Sequence, residues 1–296
     1  MTRVAFIGLG AIGMPMAQHL AKPPFDLVVW NRSADKAAEF AELHGARAAA
    51  TPADAARTAE VVITCLPSSR EVREVLERPD GLLAAVVRGS ILVDCTSGDP
   101  AESRGFAKTL AGQGVAFIDA PVSGGVVGAK AGTLTVMCGG GSEMLERARP
   151  VLETFGKKIV LCGPVGSGHA VKAVSNALLA VHVLSTAEAL AALTRLGVSA
   201  SVALDVINAS AGRSNASQNL FPERVLTRAF PRTFRLALLD KDIGIATKLA
   251  SEAGTPIPLI DLAAQLIHEA HVELGEEADH VEAAKVVEKR AGVTIQ

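Results

Sequence analysis

A doubly wound α/β domain followed by an all-α C-terminal domain, joined by a long bridging helix, is the fold this sequence predicts. Three observations predict it. Short Val/Ile-rich runs alternate with amphipathic stretches through the first half. The turn Gly8-Leu9-Gly10-Ala11-Ile12-Gly13 follows the first of those runs. After Gly166-Ser167-Gly168 the strands stop and an Ala/Leu-rich stretch begins. Strands buried on both faces read as continuous apolar runs, and strand–helix alternation makes the sheet parallel.

The expected strands are 4–8, 27–30, 61–66, 91–94 and 116–119, with helices at 14–21, 34–43, 70–77 and 101–112 between them. Two further strands, 133–138 and 159–161, flank a helix at 143–155 and complete a dinucleotide-type domain over residues 1–163. From His169 to Leu196 there is neither proline nor internal glycine. At 1.5 Å per residue such a helix reaches roughly 40 Å, long enough to bridge two domains. Helices at 200–209, 222–228, 234–253, 258–274 and 281–290 then make residues 164–296 an all-helical substrate and dimerisation domain.

Composition excludes several classes of function. The 296 residues carry 29 Lys+Arg against 31 Asp+Glu, a net charge of −2, so no basic bias points to nucleic acid or an anionic membrane. No apolar run is expected to reach the ~18–20 residues that span a bilayer. Thr2-Arg3 leads directly into the first strand, so a cytoplasmic chain is expected. Cys65, Cys95, Cys138 and Cys162 include no C-x-x-C pair and read as small buried hydrophobes. His268-Glu269-Ala270-His271 lacks i,i+4 spacing and has no third ligand nearby in sequence. It reads as an exposed helix face, and no metal is expected.

The glycine turn carries the first chemistry. Gly8 permits the tight turn, Gly10 lets a pyrophosphate approach the backbone, and Gly13 lets helix pack on strand, with Leu9, Ala11 and Ile12 between them. Unpaired N–H groups at the helix start then receive the phosphates. This is a Rossmann-type dinucleotide site. At the end of the second strand an acid would grip the ribose of NAD; Asn31-Arg32-Ser33 stands there instead. Arg32 can pair with a 2′-phosphate, with Asn31 and Ser33 adding donors, so NADP is favoured over NAD; the other reading is a plain polar turn.

Two later segments carry candidate chemistry. Ser123-Gly124-Gly125 leaves a strand, and a hydroxyl beside consecutive glycine N–H groups suits a carboxylate, although a loop without a ligand would read the same. Lys172 and Asn176 are four apart at the start of the long helix and share a face. A partly desolvated lysine can exchange a proton with an alcohol, whereas most lysines on helices are simply solvated.

The sequence resembles the β-hydroxyacid dehydrogenase family over essentially its whole length. The resemblance rests on 8–17, Leu66-Pro67, 94–100, 119–125, 132–137, 166–176 and Lys241-Asp242. Within that family it is similar to bacterial 3-hydroxyisobutyrate dehydrogenases, through 207–216 and 226–231. The resemblance implies Lys172 as general acid/base with Asn176 as its polar partner. It also implies Ser123, Gly124 and Gly125 on the substrate carboxylate, and Leu66, Pro67, Thr96 and Lys241 around the nicotinamide. Ile12 replaces a usual methionine, Thr96-Ser97 reverses a usual Ser-Thr, and Ser175 replaces a usual asparagine.

The implied activity is NAD(P)-dependent oxidation of a short 3-hydroxy acid, with 3-hydroxyisobutyrate giving methylmalonate semialdehyde, a step of valine catabolism. Reduction of tartronate semialdehyde or another small semialdehyde acid is the rival within the class. A catalytically silent nucleotide-binding module is the rival outside it. A homo-oligomer, dimer or tetramer, is the implied assembly.

Overall fold

Nine strands make one mixed sheet: β1 (Thr2–Ile7), β2 (Phe25–Trp30), β3 (Arg47–Ala48), β4 (Val61–Thr64), β5 (Ile91–Asp94), β6 (Ala116–Asp119), β7 (Val122–Ser123), β8 (Leu134–Gly139) and β9 (Gly156–Gly163). Along the order β3-β2-β1-β4-β5-β6 every pairing is parallel. Strand β8 then runs antiparallel to β6 and β7, and β9 pairs parallel to β8. Strand order reverses direction between β1 and β4, the switch point at which open α/β sheets bind ligands beyond their strand ends.

The crossovers carry α1 (Gly13–Leu20), α2 (Ala34–His44), α3 (Pro52–Ala56), α4 (Ser69–Glu77), α5 (Pro100–Ala111), α6 (Gly125–Ala131) and α7 (Ser142–Leu152). Local chemistry sets their ends. Thr51, Ser68 and Asp99 each accept a backbone N–H of the first turn of α3, α4 and α5, and Pro52 and Pro100 fill first-turn positions that need no donor. Both sheet faces are covered. Val4 and Phe6 of β1 pack with Met16, Leu20 and Phe40, while Ala5 and Ile7 pack with Val72, Leu76 and Phe106.

Beyond the sheet lie α8 (Ser167–Arg195), α9 (Ala200–Asn208), α10 (Leu236–Glu252), α11 (Pro258–Leu274) and α12 (Ala283–Ala291). On α8, Ala177, Ala180, Val183, Leu184, Ala187, Leu190 and Ala191 form a buried stripe at helical spacing that packs with Phe221, Leu239, Ile243 and Ile267. This computed structural model describes residues 1–296.

The structure differs from the sequence expectation at four places. Its two units are Met1–Lys172 and Ala173–Gln296, so the division falls inside α8 rather than before it. The reason is that the first turn of α8 is hydrogen-bonded to Asp119 and Ser103 of the sheet unit. Helix α8 is also long and apolar enough to cross a membrane by length and composition, contrary to the expected absence of such a run. Its Ala/Leu stripe belongs to the helical core instead. The helix expected at 222–228 is a π-helical segment, Ala216–Val225, with Pro222 inside it and a Leu226 N–H to Phe221 carbonyl bond of 3.0 Å. Finally, β3, α3, β7 and α6 were not foreseen.

Candidate active site

The glycine turn lies at the switch point. Gly8 has φ +107°, and a Cβ there would stand 2.3 Å from the Cys65 carbonyl oxygen; a Cβ on Gly13 would stand 2.1 Å from the Gly8 carbonyl oxygen. Neither position admits another residue. Gly10 faces open space within 4 Å, and no side chain caps the start of α1. An open backbone cradle before an uncapped helix start fits a cofactor pyrophosphate.

Asn31 has partners of its own within the chain. Its Oδ1 accepts the Leu9 N–H at 3.0 Å and its Nδ2 donates to the Ser33 carbonyl at 3.2 Å, so it braces the glycine turn from β2. Arg32 and Ser33 beside it are exposed. Leu66 borders the same turn, and its N–H donates to Thr96 Oγ1 at 3.1 Å. Thr96 is buried, so its hydroxyl positions Leu66; Pro67 is exposed and Ser97 partly so.

Behind this loop is a buried polar network that sequence reasoning missed. Asp94 Oδ1 accepts from the Thr64 hydroxyl at 2.8 Å and from the Thr96 N–H at 3.1 Å. His169 Nε2 lies 2.7 Å from the Thr96 carbonyl oxygen, which can only accept, so the ring donates there. His169 Nδ1 lies 2.7 Å from the Ser103 hydroxyl. Asp119 takes the Gly166 N–H at 2.7 Å and the His169 N–H at 2.9 Å. Burial pushes the Asp119 carboxyl up, against the pull of His169 and these two donors. The network ties the first turn of α8 to the Leu66–Thr96 loop. The available signal was that β5 and β6, otherwise apolar, each end in an aspartate.

Ser123 ends β7, paired with Thr135 of β8; Gly124 and Gly125 follow at φ +132° and +62°, both exposed. The short α6 behind them is tied to α1 by His19 Nε2 and the Ala129 carbonyl, 2.9 Å apart. Cys65 and Cys138 are inert, since burial pushes both thiols up to about 12.

Lys172 and Asn176 occupy successive turns of α8; Lys172 is half-buried and Asn176 buried. Within the helical unit, Asn176 Nδ2 donates to Asp242 Oδ2 at 2.6 Å, while Lys241 Nζ contacts Asp242 Oδ1 at 2.8 Å. Asp242, 2% exposed, therefore fixes the Asn176 amide and engages Lys241 with its second oxygen. Its role was not anticipated, although Lys241-Asp242 stood out as a dipeptide.

Residues 3–163 match the family model for the NAD binding domain of 6-phosphogluconate dehydrogenase. Residues 166–287 match that for the NAD-binding domain of NADP-dependent 3-hydroxyisobutyrate dehydrogenase. The chain is 38% identical to mitochondrial 3-hydroxyisobutyrate dehydrogenase of Mus musculus over 271 residues, 90% of this chain and 81% of that one. It is 36% identical to 2-(hydroxymethyl)glutarate dehydrogenase of Eubacterium barkeri over 299 residues, 99% and 97% of the two chains. The solved structure of Mycobacterium tuberculosis 3-hydroxyisobutyrate dehydrogenase with L-serine superposes with a TM-score of 0.89 at 32% identity, covering 97% and 99%. With this sheet, glycine cradle and helical domain, the chain belongs to the β-hydroxyacid dehydrogenase family, and it is an NAD(P)-binding oxidoreductase.

Proposed function

We propose that the chain oxidises the primary alcohol of a short 3-hydroxy acid, with 3-hydroxyisobutyrate, giving methylmalonate semialdehyde, as the leading substrate and NADP favoured over NAD. The observation that carries this reading is Lys172 one helical turn from an Asn176 whose amide is fixed by buried Asp242. The bound cofactor supplies the hydride acceptor, and the glycine cradle with Arg32 would hold it. The Ser123 hydroxyl and the Gly124 and Gly125 N–H groups bind the substrate carboxylate. Oxidation of the carbinol frees the hydroxyl proton, which Lys172 Nζ, in its neutral form, accepts. Asn176 hydrogen-bonds the same oxygen and keeps it aligned.

The names of the relatives sharpen the substrate class. 3-Hydroxyisobutyrate, 2-(hydroxymethyl)glutarate and L-serine share a CH2OH group on the carbon next to a carboxylate, and differ only in the third substituent. Tartronate semialdehyde reduction yields another such acid, so it is the same site worked in reverse. Discrimination among these substituents amounts to about 1–3 kcal/mol for a methylene. A panel of the four acids with NAD and NADP tests the reading. Highest kcat/KM on 3-hydroxyisobutyrate supports it; a clear preference for serine or hydroxymethylglutarate reassigns the substrate, and no turnover on any acid contradicts the class. We further propose a homo-oligomer, supported by the exposed Val171, Val174 and Leu178 on one side of α8; light scattering on the purified chain tests it.

A further inference from the structure

Helices α10 and α11 bring together three side chains outside the site described above. Asp240 lies on α10, while His268 and His271 lie one turn apart on α11 and share a face. Both rings bring Nδ1 to the same carboxylate oxygen: His268 at 2.9 Å and His271 at 2.8 Å from Asp240 Oδ2. All three ligand atoms lie within 4.8 Å of one another. A tetrahedral cation with bonds of about 2.0–2.1 Å needs its ligand atoms roughly 3.3 Å apart. The two ring-to-carboxylate distances widen by a few tenths of an ångström to reach that spacing, and the two rings, within 4.8 Å of each other, draw together.

The hydrogen bonds show how a cation would fit. Asp240 Oδ2 only accepts, so each ring donates its Nδ1–H to it, and a cation at that point takes the place of those two protons. Each ring then keeps its proton on Nε2, which the largely exposed His268 turns to water and His271 directs toward Glu276 Oε1, 3.3 Å away.

We propose that Asp240, His268 and His271 form a binding site for one divalent transition-metal cation of the zinc class, water completing its coordination. The cation clips α10 to α11 and is separate from the hydride chemistry.

Isothermal titration of the full chain with zinc chloride at neutral pH tests this, with thermal unfolding in parallel. The expected result is one zinc ion per chain, and a melting temperature raised by zinc and restored by a chelator. His268→Ala, at an exposed position, should weaken binding at least tenfold, as should His271→Ala, while His182→Ala should leave it unchanged. No stoichiometric binding to the wild type, or undiminished binding to both α11 variants, would overturn the proposal. So would a His271 ring that nuclear magnetic resonance shows doubly protonated at neutral pH and unaffected by excess zinc.

Discussion

The proposed preference for NADP over NAD rests on Arg32. Its guanidinium stands exposed at the end of β2, beside an asparagine already engaged by the glycine turn. Asn31 braces the glycine turn, and Arg32 is the charged group there proposed to pair with a 2′-phosphate, beside Ser33. Arg32→Ala should therefore raise the KM for NADP roughly tenfold or more, the loss of a charge-assisted pair, while leaving that for NAD nearly unchanged. Steady-state kinetics with both cofactors measure it, and equal losses for the two would remove Arg32 from the reading. His169 gives the second test at this scale. Its ring holds the Thr96 carbonyl and meets the Ser103 hydroxyl in a fully buried position. His169→Ala strands both partners and leaves a cavity, and should cost about 2–4 kcal/mol in urea denaturation. His169→Gln, which restores a donor, should recover part of the loss; identical stabilities for the two variants would show that the bond to Thr96 is not what matters.

At the scale of elements, what the sequence made legible follows from the range of the forces involved. The long buried strands were readable because both faces are covered and the Val/Ile run is continuous. Strands β3 and β7, two residues each, and α3, five residues, are too short to show a period. Gly125 and Gly128 gave α6 the appearance of a loop, and Pro222 looked like a helix start though it sits inside a π-helical turn. The glycine cradle was visible because its logic is local. The contacts of His169 with Thr96 and Ser103, and of Asn176 with Asp242, join residues 73, 66 and 66 positions apart, and no local pattern announces them. The same holds for Asp279, which accepts the Thr233 and Phe234 N–H groups, caps the turn at Val281 and faces His280. Burial opposes its charge, but His280 and the backbone donors prevail and hold its carboxyl well below the ordinary range. A carboxyl so depressed adds stability that is complete above about pH 4, the ordinary aspartate value, and lost as the pH falls below it. Urea denaturation across pH 2–7 should show that acid limb in the wild type. Asp279→Asn should be less stable near neutrality by about 2–4 kcal/mol, with a flatter limb. Parallel curves for the two proteins would contradict this account.

At the scale of the whole molecule, the chain pairs a nucleotide-binding unit with a helical one through a single helix, α8, whose first turns carry Lys172 and Asn176. The sheet unit anchors the beginning of α8 through Asp119 and His169, and the helical unit fixes Asn176 through Asp242. The measurement that tests the central claim most directly is turnover of Lys172→Ala on the wild type's best 3-hydroxy acid, with cofactor binding followed by nicotinamide fluorescence. The account predicts a folded variant that binds cofactor with near-normal affinity and turns over ~10²–10⁴-fold more slowly, the range for a lost general acid–base group. A variant that binds cofactor and retains near wild-type kcat would contradict it.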